Sequence, residues 1–122
     1  MKVLLGIGGS EGSFDALADA VARAKEAGDD VTVAIVDRED IDLSVAEIED
    51  RVRECLADAD VDAAVRRLEG HPGSRLVEMA EREGFDRLVL AGGERSPLGK
   101  INFDETLEFV LLNAETTVTL VR

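Results

Sequence analysis

The chain has 122 residues and a formal net charge of -13, with 27 acidic against 14 basic side chains. Length and a hydrophobic content of 45% fit one domain, spanning 1–122, with a modest core rather than a disordered acidic chain. Such acidity leaves no basic face for nucleic acid and is repelled by anionic membranes, and no apolar run reaches the ~20 residues of a membrane span.

Residues 3–7 are apolar apart from Gly6 and read as a buried strand. They follow Met1 at once, too soon for a secretory signal peptide. Phe14, Leu17, Ala18, Val21 and Ala24 then fall at helical spacing, and Gly28 is a natural stop. Residues 31–36 form a second strand, rich in β-branched side chains. Val45, Ile48, Val52, Cys55, Leu56 and Ala59 mark a second helix. Residues 61–68 make a third strand with charge mixed in, which places it at a sheet edge. His71-Pro72 opens a third helix carrying Leu76, Val77, Met79 and Ala80, with Gly84 at its end. Residues 88–91 are a fourth strand. Leu107, Val110, Leu111 and Ala114 mark a fourth helix, and residues 117–121 are a last strand.

Five strands alternating with four helices predict an α/β fold, a doubly wound parallel sheet covered on both faces. Ligands of such sheets lie beyond the carboxyl ends of the strands. The loops 8–13, 37–44 and 92–104 are therefore the candidate site. Cys55 is the sole cysteine, which excludes an intrachain disulfide and fits a cytoplasmic location. Lys2, Lys25 and Lys100 are the only lysines beside eleven arginines. Many acids with few lysines suit a protein kept soluble in concentrated salt, where self-repulsion is screened. A halophilic, archaeal source is the expectation, and an acidic mesophile protein is the alternative.

Gly6, Gly8, Gly9 and Gly12 surround the first strand-to-helix turn. Their spacing fits the dinucleotide fingerprint only loosely. The turn reads either as a nucleotide contact at a helix N-terminus or as a tight turn capped by Ser10 or Ser13. Gly99-Lys100 fails as a phosphate loop, because Glu94 and Ile101 stand where that motif needs Gly and Ser or Thr. His71 reads as a helix cap or surface residue and has no ligand partner at metal-binding spacing. Ser10 and Ser13 lack a base, Cys55 lies on an apolar stripe, and the acid pairs Asp29-Asp30 and Asp40 with Asp42 read as solvated loop charges. No catalytic constellation and no metal site is visible.

Four segments resemble the universal stress protein family. Residues 8–13, Gly-Gly-Ser-Glu-Gly-Ser, resemble its D-G-S-E-x-S turn. Residues 70–80 are similar to its G-x-P-x-x-x-I-x-x-x-A helix entry, residues 86–92 to its D-L-I-V-M-G strand, and residues 107–121 to its closing helix and strand. The resemblance covers nearly the whole chain, with a shorter connection at 37–45. It implies a five-stranded sheet in the order 3-2-1-4-5. It also implies a homodimer paired through the last strand, here Thr117, Val118, Thr119, Leu120 and Val121. An unpaired apolar edge agrees with that.

The nucleotide-binding branch of that family has G-x-x-G, nine residues, then G-S or G-T. Those positions fall here at Ala91, Glu94, Asp104 and Glu105, and none is kept. The family's aspartate at the end of the first strand falls at Gly8. Its adenine-lining hydrophobic position falls at Ile35 or Val36 and is kept, though ordinary core packing also explains it. Phosphates need exposed backbone N–H groups without negative neighbours. Here Glu94, Asp104 and Glu105 stand where a triphosphate would lie, and Arg95 and Lys100 offset only two of them. A like charge at about 4 Å costs on the order of 1–4 kcal/mol. The expectation is a non-enzymatic stress-response or regulatory homodimer that binds no ATP and no other cofactor. The alternative is a switch that holds ATP with Mg²⁺ through a rearranged 92–104 loop. Phe109 and Leu112 share a helix face off the core stripe and, with Phe103, either form an extra contact surface or lie under the 92–104 loop.

Overall fold

Each apolar run read as a strand forms one. The computed structural model describes residues 1–37, 41–91, 94–95, 101–102 and 105–121. Its elements follow the chain as β1 (Lys2–Ile7), α1 (Glu11–Ala27), β2 (Asp30–Val36), α2 (Val45–Asp58), β3 (Ala64–Leu68), α3 (Pro72–Arg82) and β4 (Arg87–Ala91). Then come β5 (Glu94–Arg95), β6 (Ile101–Asn102), α4 (Glu105–Asn113) and β7 (Thr117–Val121). The main sheet has the order β3-β2-β1-β4-β7, with every neighbouring pair parallel. This is the expected doubly wound α/β sandwich, with the last strand beside β4.

The two-residue side-chain period of the strands divides the core into two layers. Val3, Leu5 and Ile7 of β1 and Val31, Val33 and Ile35 of β2 pack with Leu17 of α1 and Ile48 and Val52 of α2. Leu4, Ala34, Val36, Leu88 and Leu90 face the other way, onto Leu76 and Met79 of α3 and Leu107 and Val110 of α4. Each fully buried Leu, Ile or Val contributes on the order of 1.5–3 kcal/mol, so this sandwiched sheet dominates the stability.

Four details differ from the sequence reading. β3 begins at Ala64, three residues later than expected. Asp60 takes a left-handed turn (φ 54°), and the Val61 N–H bonds back to the Leu56 carbonyl at 3.0 Å, so the ladder with β2 starts only at Thr32 and Ala64. Residues 94–95 and 101–102 pair antiparallel within what reads as a loop. Two-residue strands are too short to show a periodicity. Leu111 is 42% exposed rather than part of the buried stripe of α4. Phe109 packs toward α3 instead, edge-on to the His71 ring at 4.8 Å between centroids. Asp29 is not a solvated loop charge. Its side chain is only 4% exposed, and it accepts a hydrogen bond from Arg23 Nε at 3.0 Å.

Candidate functional site

Parallel pairing brings the carboxyl ends of β1, β2, β4 and β7, at Ile7, Val36, Ala91 and Val121, to one rim of the sheet. The first loop at that rim is held tightly. Gly8 and Gly9 are buried, and Gly9 has a φ of 95° that L side chains rarely adopt. A Cβ there would lie 2.9 Å from both Ile41 Cγ2 and Ile48 Cδ1. Ile41 thus reaches over the end of β1 from the short connection that follows β2.

Ser10 caps α1. Its Oγ accepts the Ser13 N–H at 3.1 Å, while the Ser13 hydroxyl donates to the Ser10 carbonyl at 2.7 Å. The cap that the sequence allows at Ser10 is present. Both hydroxyls are engaged in holding it, and among the described residues neither bonds to a base. The first turn of α1 carries Glu11, and that of α4 carries Glu105 and Glu108. Acids there complement the helix dipole and compete with any anion arriving from outside.

The family-derived nucleotide positions are distributed as follows. Gly8 is buried, Ile35 and Val36 are 0% and 3% exposed, and Ala91 is half-buried at the end of β4. Ile35 packs in the α1–α2 core and Val36 in the α3–α4 core, so neither presents an open apolar surface at the rim. Glu94 begins β5, and Glu105 is exposed at the start of α4. Asp104, Phe103 and Lys100 lie outside the described residues, as do 38–40, 92–93, 96–99 and 122.

The other candidates fall elsewhere. His71 caps α3, its Nδ1 accepting the Ser74 N–H at 3.0 Å. Cys55 is half-buried in a shallow groove between α1 and α2, where burial and, secondarily, the Asp58 charge push its thiol pKa up. Among the described residues no three His, Cys, Asp or Glu side chains group as a metal site. On α4, Phe109 is half-buried while Leu112 is 82% exposed, so the two do not form one exposed pair. Among the described residues β7 pairs with β4 on one side only, and Val118, Thr119, Leu120 and Val121 are half-buried along it. The residues that sequence reasoning missed are Ile41 and Ile48. Their apolar character was visible, but their contact with Gly9 joins distant parts of the chain.

The model of the universal stress protein family matches residues 1–122. Among solved structures, a universal stress protein from Archaeoglobus fulgidus superposes with a TM-score of 0.80 at 19% identity, covering 100% of this chain and 98% of that one. A universal stress protein in complex with cAMP has a TM-score of 0.77 at 23% identity, covering 100% and 96%. A family protein from Arabidopsis thaliana with AMP bound has a TM-score of 0.66 at 17% identity, covering 99% and 90%. No curated protein matches the chain. No helix among the described residues is long and apolar enough to cross a membrane.

Proposed function

The chain belongs to the universal stress protein family, and from that premise we propose that it is a non-enzymatic stress-response or regulatory homodimer of the cytoplasm that does not hold ATP. The observation that carries this reading is the filled end of β1. Gly9 is packed by Ile41 and Ile48, and Ile35 and Val36 at the end of β2 are both buried. An adenine entering there must displace Ile41 from apolar contact. Acids at 94, 104 and 105, where the family's nucleotide-binding branch has glycines and a hydroxyl, add electrostatic cost. The absence of catalysis is supported by Ser10 and Ser13, whose hydroxyls serve the α1 cap.

Dimer formation through β7 rests on its free edge, since its ladder groups facing away from β4 have no strand beside them among the described residues. The exposed Leu112 side chain is a candidate addition to that surface. Light scattering reads the mass. If Thr119→Pro leaves a dimer intact, the β7 pairing is wrong.

A second reading is favoured by relatives of the same fold found with cAMP and AMP. In it, this chain holds an adenine nucleotide by rearranging residues 92–104. Thermal shift in concentrated KCl separates the readings, with ATP–Mg²⁺, AMP and cAMP as probes. Ligand at 100 times its Kd adds about 2.7 kcal/mol of stability. No shift with any of the three supports the first reading. A saturable shift overturns it in favour of the second.

A further inference from the structure

Phe109 and Leu111 leave α4 on opposite sides. Phe109 turns toward α3, against Gly73 and His71. Leu111 is two residues on, about 200° round the helix, and so faces away from α3. α3 reaches β3, whereas α4 joins β4 to β7, so the side away from α3 looks past the β7 border of the sheet. Leu111 is 42% exposed there. Val118 and Leu120 of β7 point into the same layer and are only half-buried. Side chains alternate along the strand, so Thr119 looks to the other face with Val121, which packs on the α1 side.

Leu111 stands about 4.5 Å above Ala114 along the helix, and Thr119 about 6.6 Å above Thr117 along the strand. The turn 114–116 joins the two elements at their base, so Leu111 is level with the middle of β7. An apolar side chain beside an unpaired apolar border calls for a cover. What covers it must supply a strand to β7 and an apolar side chain to Leu111 at the same height. A second copy of this chain supplies both. Turned by a two-fold axis perpendicular to the sheet through Thr119, it sets Val118 opposite Leu120 twice and Thr117 opposite Val121 twice. Shifting the axis by one residue in either direction draws a charged residue, Glu115 or Arg122, into the ladder.

We propose that the β7 pairing, on which this inference rests, is antiparallel about Thr119 and is closed on the α4 side by Leu111 of one copy against Leu111 of the other. The patch is then self-complementary, as a two-fold joint requires. The ladder fixes the register, while the leucines and the Val118–Leu120 pairs remove apolar surface from water on one face. Glu108, one turn toward the rim, is the charged residue of α4 closest to Leu111 in the chain. The same axis carries the two Glu108 side chains to opposite sides of itself, and molar salt screens them within about 3 Å.

The test uses the full chain in molar KCl, with Cys55→Ser as background for cross-linking. Thr119→Cys should oxidise to a disulfide-linked dimer, because directly opposed residues have Cα atoms about 4.5–5.5 Å apart, within disulfide range. Val118→Cys and Leu120→Cys should not, since each meets its own copy at about 8 Å. Light scattering over a dilution series then reads the dimer Kd. Leu111→Glu should weaken the dimer about tenfold or more. Leu112→Glu brings the same charge but points away from the sheet, and should weaken it less. If Thr119→Cys fails to link in a sample of dimer mass, or a link forms at 118 or 120 instead, the register is overturned. If Leu111→Glu weakens the dimer no more than Leu112→Glu, the leucine contact is overturned. Both results leave the β7 pairing standing, whereas monomer mass for the unsubstituted chain at every concentration overturns the pairing itself.

Discussion

Gly73 is the second residue of α3, and Phe109 of α4 lies directly against it. A Cβ at Gly73 would stand 2.8 Å from Phe109 Cβ, 2.9 Å from Cδ1 and 3.0 Å from Cγ. The nearest of these atoms is fixed to the α4 backbone, so no ring rotation relieves the overlap. Gly73→Ala must push α4 away from α3, and overpacking of this kind costs about 1–3 kcal/mol. Helix propensity acts in the opposite direction, since alanine gains up to about 1 kcal/mol over glycine in a helix. The net expectation is a loss of about 1–2 kcal/mol, and Tm falls by roughly 4–8 °C in a domain of this size. Calorimetry and urea unfolding measure it. Phe109→Ala removes two of the three clashing atoms, so the double variant should be more stable than the sum of the singles by at least about 0.5 kcal/mol. A rise in Tm for Gly73→Ala alone would refute the reasoning, because propensity would then outweigh the α3–α4 contact.

Ser44 and Glu47 form a reciprocal capping box at the start of α2, with Ser44 Oγ accepting the Glu47 N–H at 3.2 Å. Ser44→Ala should cost about 1 kcal/mol in urea unfolding, and no change would remove the cap from the stability account. Hydrogen bonds first from Arg67 and then from Arg53 hold the Glu49 carboxyl below its usual pKa. Its folded value is depressed, so its contribution is complete above the usual carboxylate range and fades as pH falls through the lowered value. Glu49→Gln should flatten the acidic limb of the stability–pH curve, and an unchanged slope would contradict the pairing. Cys55, with its pKa raised by burial and then by Asp58, should react with iodoacetamide more slowly than an unstructured cysteine, and faster after Asp58→Asn. Reaction at the free-thiol rate would place it outside the groove. With a net charge of -13, Tm should rise between low salt and molar KCl, and a flat response would sink the high-salt reading.

The sheet was legible because its signals are local. Val31, Val33 and Ile35 announce a buried strand, and Ser10 and Pro72 announce helix starts, without reference to distant residues. What escaped depends on contacts between elements far apart in the chain. Asp29 is buried because Arg23 and the chain terminus reach it, a pairing that no spacing rule marks. Phe109 turns toward α3 because Gly73 leaves room, and Leu111 is left exposed as a result. At the candidate site the glycine spacing suggested phosphate or a tight turn, and the contact of Gly9 with Ile41 and Ile48 shows what the open backbone accommodates.

The two borders of the sheet differ in kind. β3 displays Arg66 and Arg67, tied to Glu83 at 2.6 Å and to Glu49 at 2.9 Å. A strand arriving there would meet charged side chains already held in place by a residue of α2 and by the C-cap of α3. β7, reading Thr-Val-Thr-Leu-Val, carries no charge at all. On the proposed pairing through β7, growth by strand addition is one-sided. A second copy joining at β7 brings another β3 as its outer border, and the combined sheet then has no uncharged end left to extend. Self-recognition built this way stops at a pair instead of propagating into a fibre.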